Sequence, residues 1–246
     1  MSLVCSQSFL QFINNFGGEG NNSKPPYPSA SDAFEIYNSN ANYDPPTAGE
    51  HYYDFRYGDV AFFVMDTRRY RSETDDITMR SMLGDRQLAA LYTWLSHVNG
   101  TATFKFIVSS VPFTSLWTHD AQVDSWAGFP AEKGGLLEAF HSVPNVMILS
   151  GDRHEFAAIE FNSANVDHHT VREFSTSPLS MFYVPFVRTL RMKSDALVMR
   201  KQVNATNDTA ELVSASEEVP QELVLKYLPI GNYKWCFRIC SCWVHH

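Results

Sequence analysis

The segment Ser150-Gly151-Asp152-Arg153-His154-Glu155-Phe156 sets a carboxylate and an imidazole two positions apart. Those groups are the usual oxygen and nitrogen ligands of catalytic metals. The glycine ahead of them lets backbone come close to whatever the turn surrounds. Taken alone, so short a motif fits a plainer reading better: a strand-end turn with an aspartate cap and a surface histidine.

A second group gathers around Asp66, where Arg68, Arg69 and Arg71 follow within five positions. A planar guanidinium binds phosphate oxygens through paired hydrogen bonds, which makes Arg68 a candidate substrate clamp. The same arginines also suit carboxylate pairs on a solvated face. Asp66 would then hold Arg68 in place instead of touching a metal. Trp117 and Trp126 read as packing residues before substrate platforms. Ser109 and Ser110 raise the possibility of a serine hydrolase, but no G-x-S-x-G elbow is present. Cys236, Cys240, Cys242, His245 and His246 offer zinc-binding atoms at the extreme end of the chain. Their spacing matches no standard zinc motif, so the ending reads as an accidental tail.

Three buried strands must carry these groups. HYYDFRYGDVAFFVMD divides around Gly58-Asp59, a tight hairpin turn, and its second arm is apolar throughout and ends at Asp66. LGDRQLAALYTWLSHV reads as a helix with Asp85 at its cap and Leu88, Leu91, Leu95 and Val98 on one stripe. FKFIVSSVPF is the next strand. A second helix is expected from about Ala131 to Val143, with Leu136, Leu137 and Phe140 inward and Gly134-Gly135 weakening its start. VMILS then delivers Asp152. FAAIEF, VREFS and Leu223–Leu228 are further strand candidates, and Asp32–Tyr37 has helical spacing. Strand alternating with helix is an α/β pattern, in which ligands collect at the carboxyl ends of strands. The ends at Asp66, Ser109-Ser110 and Gly151-Asp152 are therefore expected to converge at one edge.

The 246 residues suit one good-sized domain, with 44% hydrophobic and 19% charged content. A net charge of -8 argues against a general nucleic-acid binder, which needs a basic face. No apolar run is long enough for a membrane span, and no signal peptide is read at the start. Sequons at Asn21, Asn99, Asn204 and Asn207 would permit a secretory or membrane-associated full-length protein, but the compartment stays open. Four cysteines, three of them crowded at the end, make no disulfide framework.

The ordered series YYDFRYGDVAFFVMDTRRYRS, MLGDRQLAAL, SSVPFTSLW, DSWAGFPAEKGGLL and ILSGDRHEFAAIEF resembles the PhoD-like phosphatases, and EFSTSPLSMFYVP extends the likeness to fungal-type members. It covers roughly Ala30 to Leu190, with a weaker trace in KYLPIGNYKW. The resemblance implies a metallophosphatase-type β-sandwich flanked by helices. It also implies cleavage of phosphomonoesters or phosphodiesters with two or more metal ions, iron and calcium among them. Asp152 and His154 match the family's terminal metal motif. Asp66 and Arg68 match its DTR segment, and Asp124 with Trp126 its D-x-W segment, here taken as substrate-binding candidates.

A two-metal hydrolase needs about six or more protein ligands. The family motifs expected to supply most of them, upstream of this region, are not found in the sequence. The expectation is thus an incomplete catalytic domain lacking its N-terminal strands, and either truncated or dependent on a complementary N-terminal segment. Residues 1–42 read as an irregular lead-in and 43–190 as the C-terminal part of the catalytic domain. Residues 191–246 read as a polar linker, a short strand and the atypical cysteine-rich tail.

Overall fold

A computed structural model of the chain describes residues 22–72, 74–176, 189–203 and 214–228. The cysteine-rich tail, Cys5 and the sequons at Asn21, Asn204 and Asn207 lie outside the described residues. So do most of the STSPLSMFYVP stretch and all but the start of KYLPIGNYKW.

The hairpin forms as its turn residues dictate. Strands β1 (Tyr53–Tyr57) and β2 (Val60–Val64) pair antiparallel, and Gly58 takes a φ of 58° between them. Helix α2 (Gly84–Asn99) then returns the chain to β3 (Phe104–Ser109), which runs parallel to β2. Its stripe buries Leu91, Leu95 and Val98, and Trp94 joins them. Each such side chain contributes about 1.5–3 kcal/mol on leaving water. Asp85 lies in the first turn, where the helix dipole favours an acid, but it is not the cap: Leu83 holds that position without a side-chain bond.

After β3 come a short helix α3 (Ala121–Asp124) and helix α4 (Pro130–His141), which buries Leu136, Leu137 and Phe140. Proline at the first helical position starts α4 ahead of the expected point, so Gly134-Gly135 fall past its first turn. Strand β4 (Val146–Ser150) is parallel to β3. Strands β5 (Phe156–Phe161) and β6 (Val171–Ser175) follow. β6 pairs parallel with β4, β5 pairs antiparallel with β6, and β9 (Glu222–Leu228) pairs antiparallel with β5.

The result is a mixed seven-stranded sheet in the order β1-β2-β3-β4-β6-β5-β9, beside a two-stranded sheet of β7 (Leu197–Val203) and β8 (Ser214–Pro220). The stretch expected to be a polar linker thus contains strands, and one of the strands beyond residue 191 enters the main sheet. An eleven-residue helix α1 (Tyr27–Tyr37) replaces the one or two turns expected in the lead-in, and its Tyr27 and Phe34 form a small separate cluster.

One face of the sheet, with Phe63, Ile107, Ile148 and Ile159, meets α2 and α4 in the main core. The other carries Tyr53, Val64 and Val108 with half-buried Phe55, Phe62 and Leu149, a cluster of sheet residues alone among the described residues. Tyr43, Phe55, Phe62 and Phe106 stack along it, with ring centroids 4.6, 4.6 and 5.2 Å apart. On this face β2 is half-buried at Val60 and Phe62 and buried at Val64, and no helix residue belongs to the cluster among the described residues. Nor do those residues form the two packed sheets of a sandwich. Among them, no helix is long and apolar enough to cross a membrane.

Candidate active site

The register of the parallel strands decides where their ends fall. Ser109 of β3 pairs with Ser150 of β4, which pairs with Ser175 of β6, and all three are fully buried. The Met65 amide extends the ladder from β2 by donating to the Val108 carbonyl at 2.9 Å. The ends at Asp66, Ser109-Ser110 and Gly151 therefore share one edge, as the strand pattern required. Small side chains there let the turns beyond them pack closely.

The β2 turn is built by Asp66. Its Oδ1 accepts from the Arg68 and Arg69 amides at 2.9 and 3.0 Å, an Asx-type turn. Gln87 on α2 clamps the same residue, donating to its carbonyl and accepting from its amide, both at 2.8 Å. Asp66 is buried and its Oδ1 forms the turn that holds the Arg68 backbone.

This turn sends Arg68 and Arg71 to the same oxygen. Both donate Nη1 to Asp124 Oδ1, Arg71 at 2.5 Å, and Arg71 Nη2 also reaches the Asp124 carbonyl at 3.2 Å. Burial would raise the Asp124 pKa, but the two guanidiniums outweigh it and hold the carboxyl below its usual range. Arg71 is pushed down to about 10, first by burial and then by the charge of Arg68, with Asp124 and Asp152 acting against the shift. That influence of Asp152 places the β4 turn in the same electrostatic field as the β2 turn. Trp126 is fully enclosed: its indole donates to Ser109 Oγ at 3.2 Å and its ring packs on Phe113. It fixes the segment that carries Asp124.

Asp152 and His154 both sit in left-handed backbone, at φ of 81° and 60°. L-residues held there cost of order 1 kcal/mol or more each, and such strain gathers at functional turns. Arg153 between them is turned into the protein. Its guanidinium lies 5.6 Å over the Trp117 ring, donates to both Asp120 carboxylate oxygens at 3.0 Å, and stands 3.9 Å from Asp152 Oδ2. It thereby pins the β4 turn to the segment before α3.

A carboxylate and an imidazole on one strained turn are chemically suited to a metal. Beyond them the fit fails: among the described residues no group of three or more His, Cys, Asp or Glu is placed to hold an ion. The neighbouring acids already serve other partners, Asp66 Oδ1 the turn, Asp124 Oδ1 two arginines and Asp120 Arg153. The described residues do not make the multi-ion cage that the resemblance implies.

Sequence reasoning missed a buried network beneath this edge. Glu173 on β6 is fully buried, accepting from Ser150 Oγ at 2.5 Å and from the Phe113 and Thr114 amides at 2.8 and 2.7 Å. Burial, aided by nearby Glu222, pushes its pKa up to about 7. Glu222 in turn accepts from Lys133 Nζ at 2.5 Å and from the Ser115 amide at 2.9 Å. Alternation in VREFS was the available signal: Glu173 shares a face with the inward Val171 and Ser175, an unusual place for a charge. Asp120 and Arg153 gave no comparable signal, since their pairing joins residues 33 apart.

Comparison with known proteins adds three findings. A family model described as PhoD-like phosphatase matches residues 17–220, beyond both ends of the likeness read from the sequence. No curated protein matches the chain. A solved structure titled "Structure of PhoD" is 24% identical, with a TM-score of 0.44, over 52% of this chain and 28% of its own.

Proposed function

Because the chain belongs to the PhoD-like phosphatase family, we propose that it is part of a metal-dependent phosphoester hydrolase acting on phosphomonoesters or phosphodiesters. The observation that carries this reading is the shared strand edge, beyond which the Asp152–His154 turn and the Arg68–Arg71 turn both follow. Asp152 and His154 are the metal ligands of this proposal. Arg68 and Arg71 form its substrate side. Asp66 and Asp124 act through the arginines they hold, and Trp126 through Ser109 and the segment that carries Asp124.

Two ligands do not organise a pair of ions, which needs about six. The remaining ligands, iron and calcium as the ions, and the N-terminal strands of a complete sandwich belong on this reading to a complementary segment outside the described residues. A second reading, a non-catalytic remnant that needs a partner, is favoured by the prior commitments of Asp66, Asp120 and Asp124.

Elemental analysis and hydrolysis of nitrophenyl phosphate and bis-nitrophenyl phosphate separate the two. The hydrolase reading expects stoichiometric metal and turnover once the complementary segment is supplied, both lost in His154→Ala. A chain that retains no metal and turns over no faster than blank supports the remnant. Turnover restored by co-expressing an upstream half would return the first reading as a split enzyme.

A further inference from the structure

We propose that the side-on edge of the Arg68 guanidinium is a receiving fork for an oxyanion, and that it binds without a metal. In the hydrolase reading, on which the identity of the ligand rests, that oxyanion is the phosphoryl group of the substrate.

Arg68 is 1% exposed. Its Nη1 is taken by Asp124, but Nε and Nη2 are buried with no hydrogen-bond partner. These are the two donors that lie side by side along one edge of the guanidinium plane. An arginine stays charged when buried, and unmet buried donors are rare enough to require an explanation. The nearby acids do not provide one. Asp66 meets Arg68 at its backbone amide and Asp124 meets it at Nη1, and neither reaches Nε or Nη2.

Phosphate or a carboxylate presents two oxygens at the spacing of that fork, and a charge-assisted pair of bonds would satisfy both donors at once. The edge is also rigidly aimed. The Asx turn fixes the Arg68 backbone, Gln87 fixes Asp66, and Asp124 holds the far end of the guanidinium. Asp124 is thus a positioning residue that keeps two cations together, and it does not itself meet the anion, which its charge would repel. The competing occupant is a buried water accepting from both donors.

The full chain, with metal removed by a chelator, is titrated with inorganic phosphate. Arginine Nε–H resonances and thermal unfolding are followed against chloride at matched ionic strength. One slowly exchanging Nε–H, absent in Arg68→Lys, is expected to move downfield while the unfolding temperature rises. Because lysine keeps the charge and loses the fork, phosphate affinity should drop about tenfold or more in Arg68→Lys. Arg172→Lys, at an exposed arginine bonded to Glu160, should leave it unchanged.

Phosphate that moves no Nε–H and stabilises no more than chloride overturns the proposal in favour of water, as does wild-type affinity in Arg68→Lys. If circular dichroism shows that Arg68→Lys does not fold, the wild-type shift and stabilisation decide alone. A chain that shows them yet hydrolyses no phosphoester with metal and an upstream half supplied keeps the fork and loses the hydrolase reading. Turnover without them does the reverse.

Discussion

Two acids at the strand edge answer pH in opposite directions, because one meets cations and the other meets a dry core. Asp124 has its pKa lowered by two guanidiniums despite burial. Its contribution is present above the ordinary carboxylate pKa and is lost as pH falls through the lowered value. Asp124→Asn should cost about 3–5 kcal/mol at neutral pH, since it strands two buried cations. Urea unfolding would read this, and a loss within experimental error would show the pairs to be unimportant. Glu173 behaves inversely. Its pKa rises from 4.5 to about 7 on folding, so between those values the unfolded chain sheds a proton that the native state keeps. Stability from this group should therefore be full below pH 4.5, decline up to about pH 7, and then level off. Glu173→Gln should flatten that slope whatever its effect on absolute stability. An unchanged slope between wild type and variant would mean that another group titrates there.

The short elements between β3 and α4 hold the site by close backbone packing. Ser125 bonds back to the Ala121 carbonyl at 2.6 Å and starts a 3₁₀ turn, Trp126–Gly128. A Cβ on Gly128 would stand 2.5 Å from the Val123 carbonyl oxygen, a contact that backbone cannot relieve cheaply. Gly128→Ala should cost about 1–3 kcal/mol by overpacking and displace Asp124 from the two arginines. In α2, Leu91→Ala should cost about 2–5 kcal/mol by opening a cavity in the main core. Thermal unfolding checks both. Only the glycine variant should also weaken the acid-side dependence that Asp124 confers, so equal pH profiles in the two would count against its positioning role.

Across the chain as a unit, the sheet is unequally clothed. Parallel strands are almost always covered on both faces. Here β2, β3 and β4 pack helices on one face, while the other presents a stacked aromatic row with Phe104 and Tyr57 exposed at its margin. Large apolar patches of this kind mark interaction or self-association. Light scattering should show concentration-dependent association of the isolated chain, reduced by Phe62→Lys combined with Phe106→Glu. A chain that stays monomeric throughout the range would mean that this face is covered in solution.

Period and composition made the strands β1 to β6, both long helices and the α/β class legible, because each reports on whether its own side chains alternate or recur every third or fourth position. The Asp152–His154 turn was legible for the same reason: a buried apolar run must end somewhere, and its end is written in adjacent residues. The partners of those residues were not. Arg68 and Asp124 are 56 apart, Asp120 and Arg153 are 33 apart, and Glu173 reaches amides 59 and 60 positions away. Sequence offered Asp66 and Asp124 as substrate-side candidates, with Asp66 alternatively the residue that holds Arg68 in place. Folding assigned one to a backbone turn and the other to two cations, because which charge a carboxylate meets depends on strand order and register, and no local pattern encodes either.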